Sequence, residues 1–250
     1  RTWDMKALAR VIVTSATYRQ SSVPTRELLQ RDPENRLLAR GPRFRLGGEM
    51  LRDQALAVSG LLVDRLGGPP VKPYQPTGLW EAVSYNGELT YEHDTGDGLW
   101  RRSVYTYWKR SAPPADVQLF DGPTRESCTV RRPRTNTPLQ ALVLLNDETY
   151  VEAARALAAS ALAAARSPAD RAAQIFRRAV SRPPTAAESA TLTQLAGKQL
   201  ARFRTDPAAA KKLLAVGASP RGRDGDPAEA AAWTLVAQAV LNLDEVITRR

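Results

Sequence analysis

The chain has 250 residues, 43% apolar and 25% charged, which places it in the ordinary globular range with length enough for a sizeable buried core. Its net charge is +10, yet the excess is not gathered: residues 66–120 carry 5 basic against 6 acidic groups, and residues 141–250 carry 15 against 11. Binding to a phosphate backbone needs basic groups concentrated on one face, so this spread argues against a nucleic-acid partner.

In chain order, "WDMKALARVIVTSA" (3–16) predicts a helix with Met5, Leu8, Ile12 and Ser15 or Ala16 on one stripe and Thr2 as its cap. Thr25 can cap a short second helix, which Asp32-Pro33 interrupts. In "GGEMLRDQALAVSGLLVDRLGG", Leu51, Ala55, Val58 and Leu62 repeat at helical spacing, with Gly67-Gly68 as the stop. From 69 to 124 prolines and glycines break every long periodicity, and 8 of the 16 aromatic residues fall between Tyr74 and Trp108. There "DTGDG" predicts a turn, and the alternation in "RRSVYTYWK" predicts a strand with two usable faces.

From 137 onward the chain is helical and well punctuated. Thr137-Pro138-Leu139-Gln140 is a capping box with proline at the first helical position. "LQALVLLN" is then a helix apolar on most sides, expected to be central, which Asn146-Asp147 ends or kinks before "ETYVEAARALAASALAAA". Ser167-Pro168 and Asp226-Pro227 each supply a cap and a first-turn proline, and Thr185 with Glu188 fits a second capping box. Trp233, Val236, Val240, Leu243 and Ile247 form one buried stripe on the last helix. No apolar stretch approaches the roughly 20 residues that would span a bilayer.

Chemistry is sparse. The lone Cys128 and lone His93 exclude an internal disulfide, a His/Cys zinc cluster and a C-x-x-C-H haem attachment within the chain. A Cys128–His93 nucleophile–base pair has no local signature, so a bystander thiol is the default. Arg131, Arg132 and Arg134 approach a helix N-terminus, where amides and dipole favour an anion; pairing with carboxylates, or alternation along a strand at 128–132, is the favoured reading. Trp80, Tyr85, Trp100, Tyr107 and Trp108 could form a sugar- or peptide-binding face, against the plainer reading that a small sheet needs rings for its core. Asp116, Asp121 and Glu126 lie in loops near the aromatic block as weak catalytic or cation-ligating candidates. Glu49 and Asp53, four residues apart beside Arg52, fit a solvated or ion-paired helix face better than a catalytic pair.

Taken in order, "WDMKALARVIVTSATYRQSS", "DPENRLLARGPRFRL", "EMLRDQALAVSGLL", "KPYQPTGLWEAV", "RRSVYTYWKRSAPP", "CTVRRPRTNTPLQALVLLND" and "AAWTLVAQAVLNLDEVITR" resemble the planctomycete-specific domain of unknown function, family 1553. The resemblance implies a C-terminal module of exported bacterial proteins, periplasmic or at the cell surface, beside an upstream cytochrome-c-like domain that would hold the haem. It carries no catalytic residues over. Where family members often have histidine in the "KALHR" stretch, this chain has Ala9, and it is expected to begin after the family's usual N-terminal portion. The chain is therefore expected to be one N-terminally truncated, mainly α domain: helices to 68, an aromatic-rich β or irregular segment over 69–136, and a helical bundle over 137–250. It would need no cofactor of its own. The functional expectation is a non-catalytic binding or scaffold module whose partners are the other domains of the same protein and a cell-surface glycan; the alternative is a polysaccharide hydrolase with its site near the aromatic segment.

Overall fold

The computed structural model describes residues 3–220 and 225–249, and they are mainly helical, with one two-stranded sheet. Two compact units emerge, one formed by residues 1–45 with 248–250 and the other by 46–247. Among the described residues no helix is long and apolar enough to cross a membrane.

In the smaller unit, Asp4 caps α1 (Met5–Thr14) by accepting from the Lys6 and Ala7 amides, while Thr2 lies outside the described residues. The stripe of Met5, Leu8 and Ile12 is exposed. Thr25 caps α2 (Arg26–Arg31) as its sequence predicts, and the helix ends at Asp32. The Asp32 carboxylate then accepts from the Leu37 and Arg36 amides at 2.7 and 2.8 Å, which holds it below the usual carboxylate range. β1 (Phe44–Arg45) pairs antiparallel with β2 (Thr248–Arg249), and the Arg249 guanidinium lies over the Tyr18 ring.

The larger unit comprises α3 (Gly48–Ser59), α4 (Ala115–Leu119), α5 (Pro138–Asn146), α6 (Glu148–Ala164), α7 (Pro168–Val180), α8 (Ala186–Thr205), α9 (Pro207–Leu214), α10 (Pro227–Leu241) and α11 (Asp244–Ile247). α10 packs against α6, α7, α8 and α9, and is buried on nearly every side. Its core joins Trp233, Val236 and Val240 to Leu157, Ile175 and Phe176 through Ala154, Ala158, Ala161 and Ala172. Alanine suits this role because it favours helix and lets neighbouring helices approach closely. The caps form locally: the Ser167 hydroxyl accepts from the Asp170 amide, Asp226 from the Ala228 amide, and Thr185 and Glu188 cap each other reciprocally.

Four sequence expectations do not hold, the first for a local reason and the others through tertiary context. α3 stops at Gly60, not at Gly67-Gly68, because Gly60 takes φ +83° and the Leu61 and Leu62 amides both fold back onto the Leu56 carbonyl. α5 is not central: Leu139, Leu142 and Leu145 are exposed, whereas Gln140 and Leu144 are buried. The stripe of the last helix divides, since α10 ends at Leu241 and Ile247 is buried from α11. Finally, the strand expected over 101–109 is a 3₁₀ turn at Ser103–Tyr105 flanked by isolated bridges. Its ladder groups are already taken: Arg52 donates to the Leu99 and Arg101 carbonyls at 2.6 and 2.8 Å, and Asp53 accepts the Ser103 amide at 2.7 Å.

Candidate functional site

Segment 61–114 is held in place by buried charges. Arg52, 2% exposed, fastens the 99–103 backbone from α3. Arg101, fully buried, donates to the carbonyls of Arg65, Gly67 and Pro69 and stacks on Tyr105. Glu152, on α6, accepts from the Trp100 indole at 3.0 Å and from the Ser219 amide at 2.5 Å. Arg155 completes this knot by donating to Ser219. Gly217 approaches with φ +80°, where an added Cβ would lie 2.5 Å from the Glu152 Cδ. Each backbone group in a segment without helix or ladder needs such a partner once buried.

On that framework sits a cluster centred on Trp80, which is 7% exposed. The Val71–Thr106 bridge brings Lys72 beside Tyr107: the Val71 amide donates to the Tyr105 carbonyl and the Tyr107 amide to the Val71 carbonyl. Trp80 packs against Tyr91 and Tyr107 at ring separations of 5.1 and 6.0 Å. The Tyr91 hydroxyl donates to the Pro73 carbonyl, and burial pushes its acidity well below that of an ordinary tyrosine. Lys72 Nζ is caged 5.8–6.0 Å from all three rings, and Lys109 Nζ lies 4.4 Å over Trp80.

Polar atoms without partners recur along this segment. Among the described residues, Gln75 Nε2 and Oε1, Trp80 Nε1, Glu81 Oε2, Trp108 Nε1 and Lys109 Nζ are all buried without a hydrogen bond. A desolvated cation–π contact contributes about 2 kcal/mol, whereas burying an ammonium without a counter-charge costs several kcal/mol. The Trp80 ring therefore does not satisfy Lys109 by itself.

A second cluster lies at the joint between α5 and α6. Asp147 ends α5 and caps α6, accepting from the Thr149 amide at 2.9 Å. Burial, then the charge of Asp116, pushes its carboxyl up to about 6. Burial likewise raises Asp116 against the pull of Arg52. Tyr150, 2% exposed, has a hydroxyl with no hydrogen-bond partner and within electrostatic reach of both carboxylates. The same tyrosine lines a small apolar recess with Leu51, Ala55, Leu144, Leu241 and Ile247.

The sequence-derived candidates divide between these places. Trp80 and Tyr107 come together, and Trp108 follows Tyr107 with its ring under the Arg125 guanidinium at 4.1 Å. Tyr85 is fully exposed in a loop tied by Ser84, Asn86 and Glu88, and Trp100 is committed to Glu152. Arg132 makes a two-pronged pair with Glu49 at 2.8 and 3.0 Å, which keeps Glu49 below the usual carboxylate range although burial works the other way. Arg131 and Arg134 are exposed along a coil; residues 128–132 form no strand. Asp121 accepts from the Thr135 amide and hydroxyl, and Glu126 is exposed. Cys128 is exposed, while His93 packs edge-on against Tyr74, with its Nδ1 2.8 Å from the Asp94 carbonyl. Among the described residues no three Asp, Glu, His or Cys side chains are grouped to hold a metal ion.

Sequence reasoning missed Lys72, Tyr91 and Lys109 around Trp80, and Asp147 and Tyr150 beside Asp116. A lysine ending the alternating run "VYTYWK" is the one local signal that could have drawn attention to Lys109. Asp147 carries the signature of a helix cap, which hid its second environment.

A family model described as "Protein of unknown function (DUF1553)" matches residues 1–196. No curated protein and no solved structure matches the chain.

Proposed function

We propose, from the premise that this chain belongs to the DUF1553 family, that it is a non-catalytic binding module of an exported multidomain protein, and that it contacts a cell-surface glycan through the residues around Trp80. The observation that carries this reading is the set of buried donors and acceptors without partners beside Trp80, Tyr91 and Tyr107. Indole N–H, amide, carboxylate and ammonium groups next to rings are what a polyhydroxylated ligand satisfies. The test is a tryptophan-fluorescence titration of the chain with a broad polysaccharide panel. A saturable change is expected, lost in Trp80→Leu and weakened in Gln75→Ala, with far-UV circular dichroism checking each fold. Silence across the panel overturns the reading.

The hydrolase alternative draws on the Asp116–Asp147 pair. A carboxyl pushed up to about 6 keeps a protonated fraction at neutral pH from which a proton can be donated. This reading requires release of reducing ends from a polysaccharide, abolished in both Asp147→Asn and Asp116→Asn.

A further inference from the structure

We infer that the glycan bound around Trp80 is an acidic one, carrying uronate or sulfate groups that pair with Lys109 and Lys72. The inference rests on the glycan reading above and narrows its chemistry. Two ammonium groups share one indole: Lys109 Nζ at 4.4 Å and Lys72 Nζ at 5.8 Å from the Trp80 ring. Lys109 Nζ is buried and has no acceptor among the described residues. No carboxylate among them accepts a hydrogen bond from it. Asp94 spends one oxygen on the Lys72 backbone amide, and the buried Glu81 Oε2 is itself without a hydrogen bond.

The arrangement describes a displaceable cover. An ammonium on a four-carbon stem leaves an aromatic face at small cost once an anion offers a stronger partner. The ring it uncovers then accepts the flat apolar face of a sugar, and the freed ammonium pairs with that sugar's acidic group. Trp80 Nε1 and the Gln75 amide supply neutral hydrogen bonds to hydroxyls. A neutral saccharide would compete with Lys109 for the ring and give it no counter-charge in return.

The experiment is calorimetric titration of the chain, at about 0.15 M salt to screen diffuse attraction, with size-matched neutral, uronate and sulfated oligosaccharides. An acidic oligomer is expected to bind about tenfold or more tighter than the neutral one, and Lys109→Gln to remove about tenfold of that affinity without weakening the neutral oligomer, which no longer competes with the ammonium for the ring. The double variant Lys211→Gln/Lys212→Gln, on helix α9, which packs on α8 and α10, should change neither. If neutral and acidic oligomers bind equally and Lys109→Gln has no effect, the acidic preference is overturned while glycan binding stands. If the α9 variant loses as much as Lys109→Gln, the attraction belongs to net charge and the inference falls. If nothing binds, both readings fall. Thermal melts of each variant separate loss of contact from loss of fold.

Discussion

The helical bundle over 137–247 and the irregular segment over 61–136 solve the same problem by opposite means. In the bundle, backbone groups bond within helices, caps come from residues one turn away, and the interior is filled by alanine and branched side chains. In the irregular segment the backbone has almost no ladder, so buried arginines and a glutamate reach across from α3, α6 and the segment itself to satisfy it. Arg52 spans 47 to 51 positions to do so. Local sequence maintains the first region, and long-range charge maintains the second.

That contrast breaks most directly at Arg52. Arg52→Met leaves the Leu99 and Arg101 carbonyls without their donors, and unfolding in urea should show a loss of about 3–5 kcal/mol. Near-UV circular dichroism from Trp100 should fall further than the far-UV helix signal. A loss under about 1 kcal/mol would mean that the long-range donors are incidental.

Asp147 tests the joint between the two regions, since it caps a bundle helix yet sits in the charge cluster of Arg52 and Asp116. Its carboxyl is raised in the fold to about 6 from 3.8, so the folded state binds a proton that the unfolded chain has released. Its favourable contribution is complete below about pH 4 and is lost as pH rises through about 6. Wild type should therefore lose on the order of 2 kcal/mol relative to Asp147→Asn across that window. Denaturant midpoints at each pH measure it; parallel curves would refute the burial of that charge.

The smallest effect belongs to the bundle's own punctuation. Thr185→Ala should cost about 1 kcal/mol, confined to faster hydrogen exchange in the first turn of α8. Glu188 complicates this end only at low pH. Its carboxyl, lowered to about 2 chiefly by hydrogen bonding from Arg182, contributes stability above about pH 4.5 that is lost as pH falls through about 2. A Thr185→Ala loss as large as that of Arg52→Met would erase the distinction between local and long-range support.

The two regions also differ in what their residues reveal. Thr137, Ser167, Thr185 and Asp226 announce helices because a cap is a contact between residues two or three apart, and the spacing is the interaction. "RRSVYTYWK" misleads because alternation states only a preference for extended backbone; Arg52 and Asp53 had already claimed the groups a strand partner would need. Trp80, Tyr107 and Trp108 were visible as candidates by residue type alone. That Trp100 would be spent on Glu152, and that Lys72 and Lys109 would converge on one indole, depends on the Val71–Thr106 bridge and the turn at Lys109–Ala112.

Sequence by itself determined a mainly helical chain, the starts of α5, α6, α7, α8 and α10, the aromatic crowding between Tyr74 and Trp108, and the resemblance to its family. Tertiary structure alone decided which face of α5 meets solvent and which charges are buried beside which rings. The reason is range: capping and periodicity are settled within one or two turns, whereas a buried ammonium over Trp80, or a carboxyl pushed up at Asp147, depends on segments tens of residues apart meeting out of water.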